Sequence, residues 1–188
     1  MPERCLVDER ATTLAAFGQW AAERGYPVQP AAALPLARPP FFVNASVTPY
    51  LDAMAAGQPC ARTAQVQPCF RARPLAALPR VFTMLGVLAP AGDTARLLAD
   101  CAAFVRQVLP GSGPVFAACA AADADLLDRC GEAGLPVDAS ADASATRWQY
   151  GRGNRLAGRG VALVAGTPSG ARFVAGTVTV VTNTVALT

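Results

Sequence analysis

The sequence predicts an α/β or α+β layer fold, and three observations carry that reading. Segments of helical period are interleaved with short apolar runs that mostly do not alternate polar with apolar. At 188 residues and 53% hydrophobic, the chain can bury a sizeable core as one domain over 1–188. Only 15% of residues are charged, too few for extended disorder.

The elements follow in order. Leu14, Phe17, Trp20 and Ala21 fall on one helical stripe, so 8–25 reads as an amphipathic helix stopped by Gly25. Residues 27–40 are proline-rich and extended. Phe41 to Asn44 reads as a short strand, and Val47 to Ala56 as a short helix with Ser46 or Thr48 as its cap. Strands are predicted near 62–72 and 81–88, joined by a connection that Pro74 and Pro79 stiffen. Asp93 to Leu109 is a helix whose stripe is Leu97, Leu98, Cys101, Phe104 and Val105, ended by Pro110-Gly111. Pro114 to Cys119 reads as a strand. Ala122 to Gly131 reads as a helix with acidic residues in its first turn, which suits the helix dipole. Residues 138–146 read as loop, and Gly151, Gly153, Gly158 and Gly160 as an irregular segment. The Val- and Thr-rich stretch from Ala171 to Leu187 reads as one or two strands. No internal repeat or linker is evident.

Composition narrows the chemistry. The chain has no histidine, and all sixteen basic residues are arginine. Ser-His-Asp and Cys-His relays, HExxH zinc sites, Schiff-base lysines and P-loop lysines are therefore excluded, which leaves acid–base work to Asp, Glu, Cys or Tyr. The net charge is +3. Arg147, Arg152, Arg155 and Arg159 cluster, either as a modest basic patch for a phosphate or as a solvated loop. Cys5, Cys60, Cys69, Cys101, Cys119 and Cys130 show no CxxC pair and no metal spacing, so no metal site is predicted and buried thiols are expected. No apolar run reaches the ~18 residues of a membrane span. No h-region follows Met1-Pro-Glu-Arg-Cys5, so a cytoplasmic protein with no membrane partner is expected. Nothing in the sequence suggests a helix-turn-helix or a basic stripe for DNA.

A run of motifs points further. The Phe17 helix, Gly25-Tyr26, Leu34-Pro35 and Phe42-Val-Asn44-Ala45 resemble the first helix and motif 1 region of alanyl-tRNA synthetases, with Tyr26 in place of that family's histidine. Ala61-Arg62 and Gln67-Pro-Cys69-Phe-Arg71 resemble its Lys-Arg and Gln-Lys-Cys-Ile-Arg segments. Phe82-Thr-Met84-Leu-Gly86 resembles its Phe-Glu-Met-Leu-Gly, Gly92-Asp93 its Gly-Asp-Tyr, and Trp148-Gln-Tyr-Gly151 its Trp-Gln-Met-Gly. The resemblance runs from about Arg10 to Gly160. It implies a class II aminoacyl-tRNA synthetase core, an antiparallel sheet flanked by helices, truncated to a single domain. Thr83 stands where the family has Glu. No segment resembles motif 3, or the family's tRNA-recognition, editing or C-terminal domains.

The resemblance also implies roles. Arg71 would hold an α-phosphate or a substrate carboxylate with its bidentate fork, unless it forms a buried ion pair. Trp148, Asn44, Arg62 and Met84 would line the substrate pocket. Against this, Trp148 could be plain packing, Asn44 could satisfy a turn, and Arg62 could be a solvated strand arginine. Phe82 would stack on a purine or join the core, and Arg80 would add charge toward a nucleotide. ATP is the candidate cofactor, although nothing here matches the motif 3 that would grip its γ-phosphate.

The function that follows is a stand-alone alanyl-tRNA synthetase-like enzyme, repurposed to act on a small amino acid or aminoacyl derivative in specialised metabolism and not in translation. The alternative is a catalytically silent binding or regulatory protein of the same fold. A small amino acid or aminoacyl ligand is the expected partner, with tRNA less supported. Class II cores pair through motif 1, so a homodimer is expected from the resemblance.

Overall fold

A computed structural model of the chain describes residues 3–36, 42–72, 80–109, 111, 113–142, 146–150, 156–166, 171–181 and 184–187, the side chains of 3–10, Trp148, Tyr150 and Leu187 excepted. The helices are α1 (Glu3–Glu23), α2 (Leu51–Ala55), α3 (Thr94–Val108) and α4 (Ala124–Glu132). The strands are β1 (Thr63–Phe70), β2 (Val81–Pro90), β3 (Phe116–Ala118), β4 (Val137–Asp138), β5 (Arg147–Tyr150), β6 (Leu156–Gly166), β7 (Arg172–Val181) and β8 (Thr184–Leu187). They form one sheet in the order β1-β2-β8-β7-β6-β3-β4, with β5 pairing β6 beside β3. Every strand pair is antiparallel except β3 with β4. The α+β architecture with a mainly antiparallel sheet is therefore realised.

One face of the sheet carries the larger core. Phe17, Trp20 and Ala21 of α1 are buried against Leu97, Leu98, Cys101 and Phe104 of α3, and all of them pack over Val87, Val161, Leu163 and Val178. Trp20 lies 5.0 Å from Phe104 and 5.8 Å from Tyr26, centroid to centroid. Gly25, at φ +75°, ends α1 and lets the Tyr26 amide reach back to the Ala21 carbonyl at 2.9 Å, a glycine stop of the kind the sequence implies. The opposite face has a smaller cluster: Ala45, Val47, Leu51 and Met54 over Leu88, Leu156, Val181 and Ala186.

Several elements differ from the sequence reading. Phe41 lies outside the described residues, and the expected strand to Asn44 reduces to a single bridge between Phe42 and Pro35. Val43 lends only main-chain bonds, donating to Leu34 at 3.1 Å and accepting from Phe70 at 2.7 Å. The helix from Val47 splits into a 3₁₀ turn over Thr48–Tyr50 and the short α2, and the turn's N-terminus has no side-chain cap. Val137–Asp138, at the start of the expected loop, pairs with β3.

The largest correction concerns the glycine-rich stretch. Gly158 and Gly160 sit inside β6, an eleven-residue strand near the middle of the sheet. Their role is close approach: a Cβ at Gly158 would come within 2.7 Å of Thr179 Cγ2 and 2.8 Å of the Val180 carbonyl. Gly151 and Gly153 lie outside the described residues.

One seam of the sheet is only half filled. β8 separates β2 from β7 over its own four residues, where Pro90, Ala89, Leu88 and Val87 face it on one side and Val181 to Val178 on the other. Among the described residues no strand pairs with 81–86 or 172–177 on the edge that faces β8. Burial falls off along both strands away from β8: Val87 is fully buried and Val178 nearly so, whereas Val81 is 58% and Val174 61% exposed.

Candidate functional site

The face opposite α1 and α3 presents, at the Phe70 end of the β1–β2 hairpin, a set of residues fixed by register. Cys69 pairs with Phe82, Gln67 with Met84 and Gln65 with Gly86. Because side chains alternate along a strand, these six positions share one face. Arg71 follows β1 directly, and its peptide N–H donates to the Arg80 carbonyl at 2.9 Å, extending the ladder by one rung.

The two glutamines brace the surroundings. Gln67 is fully buried; its carboxamide accepts from the Ala32 amide at 2.9 Å and donates to the Ala32 carbonyl at 3.0 Å, strapping the proline-rich segment to the strand. Gln65 donates to the Ser46 carbonyl and accepts from the Tyr50 hydroxyl at 3.3 Å. Gly86 leaves room for Ser46: a Cβ there would lie 2.4 Å from Ser46 Cβ. The 44–50 turn is thus pressed onto the sheet.

That turn orients Arg71. Asn44 accepts from the Thr48 hydroxyl at 2.9 Å through its carboxamide oxygen, and Thr48 Oγ1 accepts from the Ala45 amide at 3.1 Å. The Asn44 main-chain carbonyl accepts from Arg71 Nε at 3.1 Å. The guanidinium also lies 5.2 Å from the centre of the Phe82 ring, a cation–π contact. Arg71 is half-buried, and among the described residues no carboxylate lies within ion-pair reach of it. Its two terminal NH₂ groups remain for an anion. The Cys69 thiol behind it is pushed up to about 11, chiefly by burial, and so stays protonated at neutral pH.

The other candidates separate from this corner. Asn44, Phe82 and the backbone of Arg80 meet Arg71, Arg80 itself is exposed, and Met84 shares the face but pairs with Gln67 further along the hairpin, against the smaller cluster. Arg62 does not join them. It sits before the far end of β1, where its Nε and Nη2 grip Asp93, at 2.7 and 3.0 Å, and hold that carboxyl below its usual range. Trp148 is also remote: its backbone pairs with Gly158, in the row that continues through Val181 and Thr184 to Pro90. β5 is five strand spacings from β1, about 24 Å, with the offset along the strands to be added. Arg71 and Trp148 occupy opposite corners of the sheet, so they do not make one pocket. Motif order along the chain says nothing of this, because the path of a strand through a sheet is set by long-range pairing.

The expected basic patch is internally neutralised in its described part. Buried Asp123 accepts from Arg147 at 2.5 and 3.0 Å and from Arg159 at 3.3 Å, while Asp125 takes both arms of Arg159 at 2.6 and 2.8 Å. This network pins β5 and β6 to the start of α4. The alternation of Asp123, Asp125, Arg147 and Arg159 is visible in the sequence, but their pairing is not. Arg73, Arg152 and Arg155 lie outside the described residues. Of the thiols, Cys69, Cys101, Cys119 and Cys130 are buried and Cys60 is half-buried. No helix among the described residues is long and apolar enough to cross a membrane.

No protein-family profile matches this chain, and no curated protein does. Among solved structures, the chain is similar to a protein described as threonyl-tRNA synthetase ThrRS-1 from Aeropyrum pernix, with a TM-score of 0.54 and 11% identity over 95% of this chain. The match spans 56% of that protein's length. At that identity the likeness establishes the fold alone: a mainly antiparallel sheet flanked by helices, as in that protein.

Proposed function

We propose that this chain is a synthetase-like enzyme that takes a small amino acid or aminoacyl derivative by its anionic group at Arg71, outside translation. One observation carries the reading: a half-buried guanidinium, aimed by the Asn44 carbonyl and the Phe82 ring, with both terminal NH₂ groups unclaimed by any described acid. A planar fork of this kind suits a carboxylate or a phosphate equally. The alanyl type is supported by the motif order of the sequence, with Gln67, Arg71, Phe82, Met84 and Gly86 in register on one face.

The chemistry such a corner can perform is electrostatic. A carboxylate attacking a phosphoryl centre needs no proton removed, so the residues present have only to orient it and offset its charge. ATP, where used, supplies the leaving group. Arg71 would hold its α-phosphate, while Phe82 would flank its base with the ring face that the guanidinium leaves open.

A second reading is a silent amino acid-binding protein, which would use the same Arg71 corner with no chemical step. Thermal-shift titration with alanine, serine, glycine, ATP and an alanyl-sulfamoyl adenylate mimic decides between them. Stabilisation of about 2.7 kcal/mol is expected at a hundredfold excess over Kd. Stabilisation by ATP together with ATP–pyrophosphate exchange supports the enzyme, whereas amino acid binding without ATP binding supports the silent protein. No shift with any ligand, or equal shifts in Arg71→Ala, removes the site.

A further inference from the structure

The end of the sheet away from Arg71 holds a cleft that the reading above does not use. It encloses about 410 Å³ between α2, the start of β1 and the start of β8, a volume suited to a small organic ligand. Buried Met54 lines it, and the flat side chains of Pro30, Tyr50 and Pro59 supply much of its apolar wall.

Charge is balanced there. Among the described residues Arg62 is the single charged one lining the cleft, and Asp93 pairs with it through Nε and Nη2. An ionised ligand would shed water without gaining a free counter-charge. Polar recognition falls instead to neutral groups. The Gln29 carboxamide makes no hydrogen bond with a described residue, so its donor and acceptor stand side by side for a ligand. The Tyr50 hydroxyl is oriented by Gln65. The Cys60 thiol, raised by burial, is wall rather than nucleophile.

We infer that this cleft binds a small, uncharged, planar carboxamide, with its amide edge on Gln29 and its ring against Pro30, Tyr50 and Pro59. The site is independent of Arg71.

Benzamide tests the inference, with benzoate and benzylamine as charged counterparts. The readouts are the Met54 methyl resonance and the rate of Cys60 alkylation by N-ethylmaleimide, followed by mass spectrometry in a Cys5→Ser background. Benzamide at ninefold excess over its Kd should shift the methyl signal and slow alkylation about tenfold. Benzoate and benzylamine should bind at least about tenfold more weakly. Ala53→Trp should fill the cleft and abolish both effects. Gln29→Ala, an exposed change that leaves the fold intact, should weaken benzamide about fivefold or more. Arg71→Ala should change nothing, which separates this test from that of the anion site. Absence of any methyl shift or protection up to the solubility of benzamide overturns the inference, as does equal binding of the charged analogues or an unaltered affinity in Gln29→Ala.

Discussion

Arg71 Nε donates to the Asn44 carbonyl at 3.1 Å, which fixes the guanidinium by its inner nitrogen and leaves its outer edge open. Replacement by alanine should cost about 1.5–3 kcal/mol of affinity for an anionic ligand, the usual range for a hydrogen bond to a charged group. Lysine keeps the charge but lacks the fork, so Arg71→Lys should recover little of that loss. Isothermal titration of both variants with the alanyl-sulfamoyl adenylate checks this; full recovery by lysine would mean that charge alone matters.

Gly158 should tolerate no side chain. The Cβ of alanine would meet Thr179 Cγ2 at 2.7 Å and the Val180 carbonyl at 2.8 Å, neither of which can retreat without moving β7. Gly158→Ala should destabilise by about 1–3 kcal/mol, as overpacking typically does, which for a chain of this length lowers Tm by about 2–4 °C per kcal/mol. Differential scanning calorimetry measures it, and an unchanged Tm would show that the two strands stand further apart.

These two cases show what was legible in the sequence. The helical stripe ending at Gly25, the β1–β2 hairpin and the strand character of 171–187, though not its division into two, were readable because their periodicity is local. β6 was not, since its glycines read as breaks, and only the nearness of Thr179 shows that they are packing contacts. The Arg71 corner was half legible: Gln67, Arg71, Phe82 and Met84 share a face because strand register is local to a hairpin. That Trp148 stands on a strand remote from Arg71 and that Arg62 is already paired were not legible, because both depend on which distant strand or helix arrives beside them.

Acid should weaken the molecule through Asp123. Its carboxyl is held below the usual range first by the hydrogen bonds from Arg147 and then by Arg159, and Asp125 is held low by Arg159. A carboxyl with a depressed folded pKa stabilises above its unfolded value near 3.9, and that contribution fades as pH falls through the folded value. Urea midpoints should therefore be flat from about pH 7 to 5 and drop below about pH 4. Asp123→Asn should lower the neutral-pH stability by about 1–3 kcal/mol, toward the smaller figure because both arginines are partly in water, and should flatten the acid limb. An acid limb that is unaltered in the variant would place the sensitivity elsewhere.

Thiol reactivity should be graded. Cys69 and Cys130 are each pushed up to about 11 by burial, and Cys101 is raised further. None should react with Ellman's reagent until the protein unfolds. Cys60 is reachable but also raised, so its rate should climb between pH 7 and 9. Peptide mapping after brief labelling reads this directly, and early labelling of Cys69 would contradict its burial.

The half-filled seam beside β8 has a consequence for motion. Over 81–86 and 172–177, Thr83 and Thr177 set aside, the edge facing β8 pairs with no described strand, so the amides on it should exchange with deuterium well ahead of their neighbours at 87–90 and 178–181. β8, four residues long, is the only described strand that joins the hairpin carrying Arg71 to the β7–β6 half of the sheet.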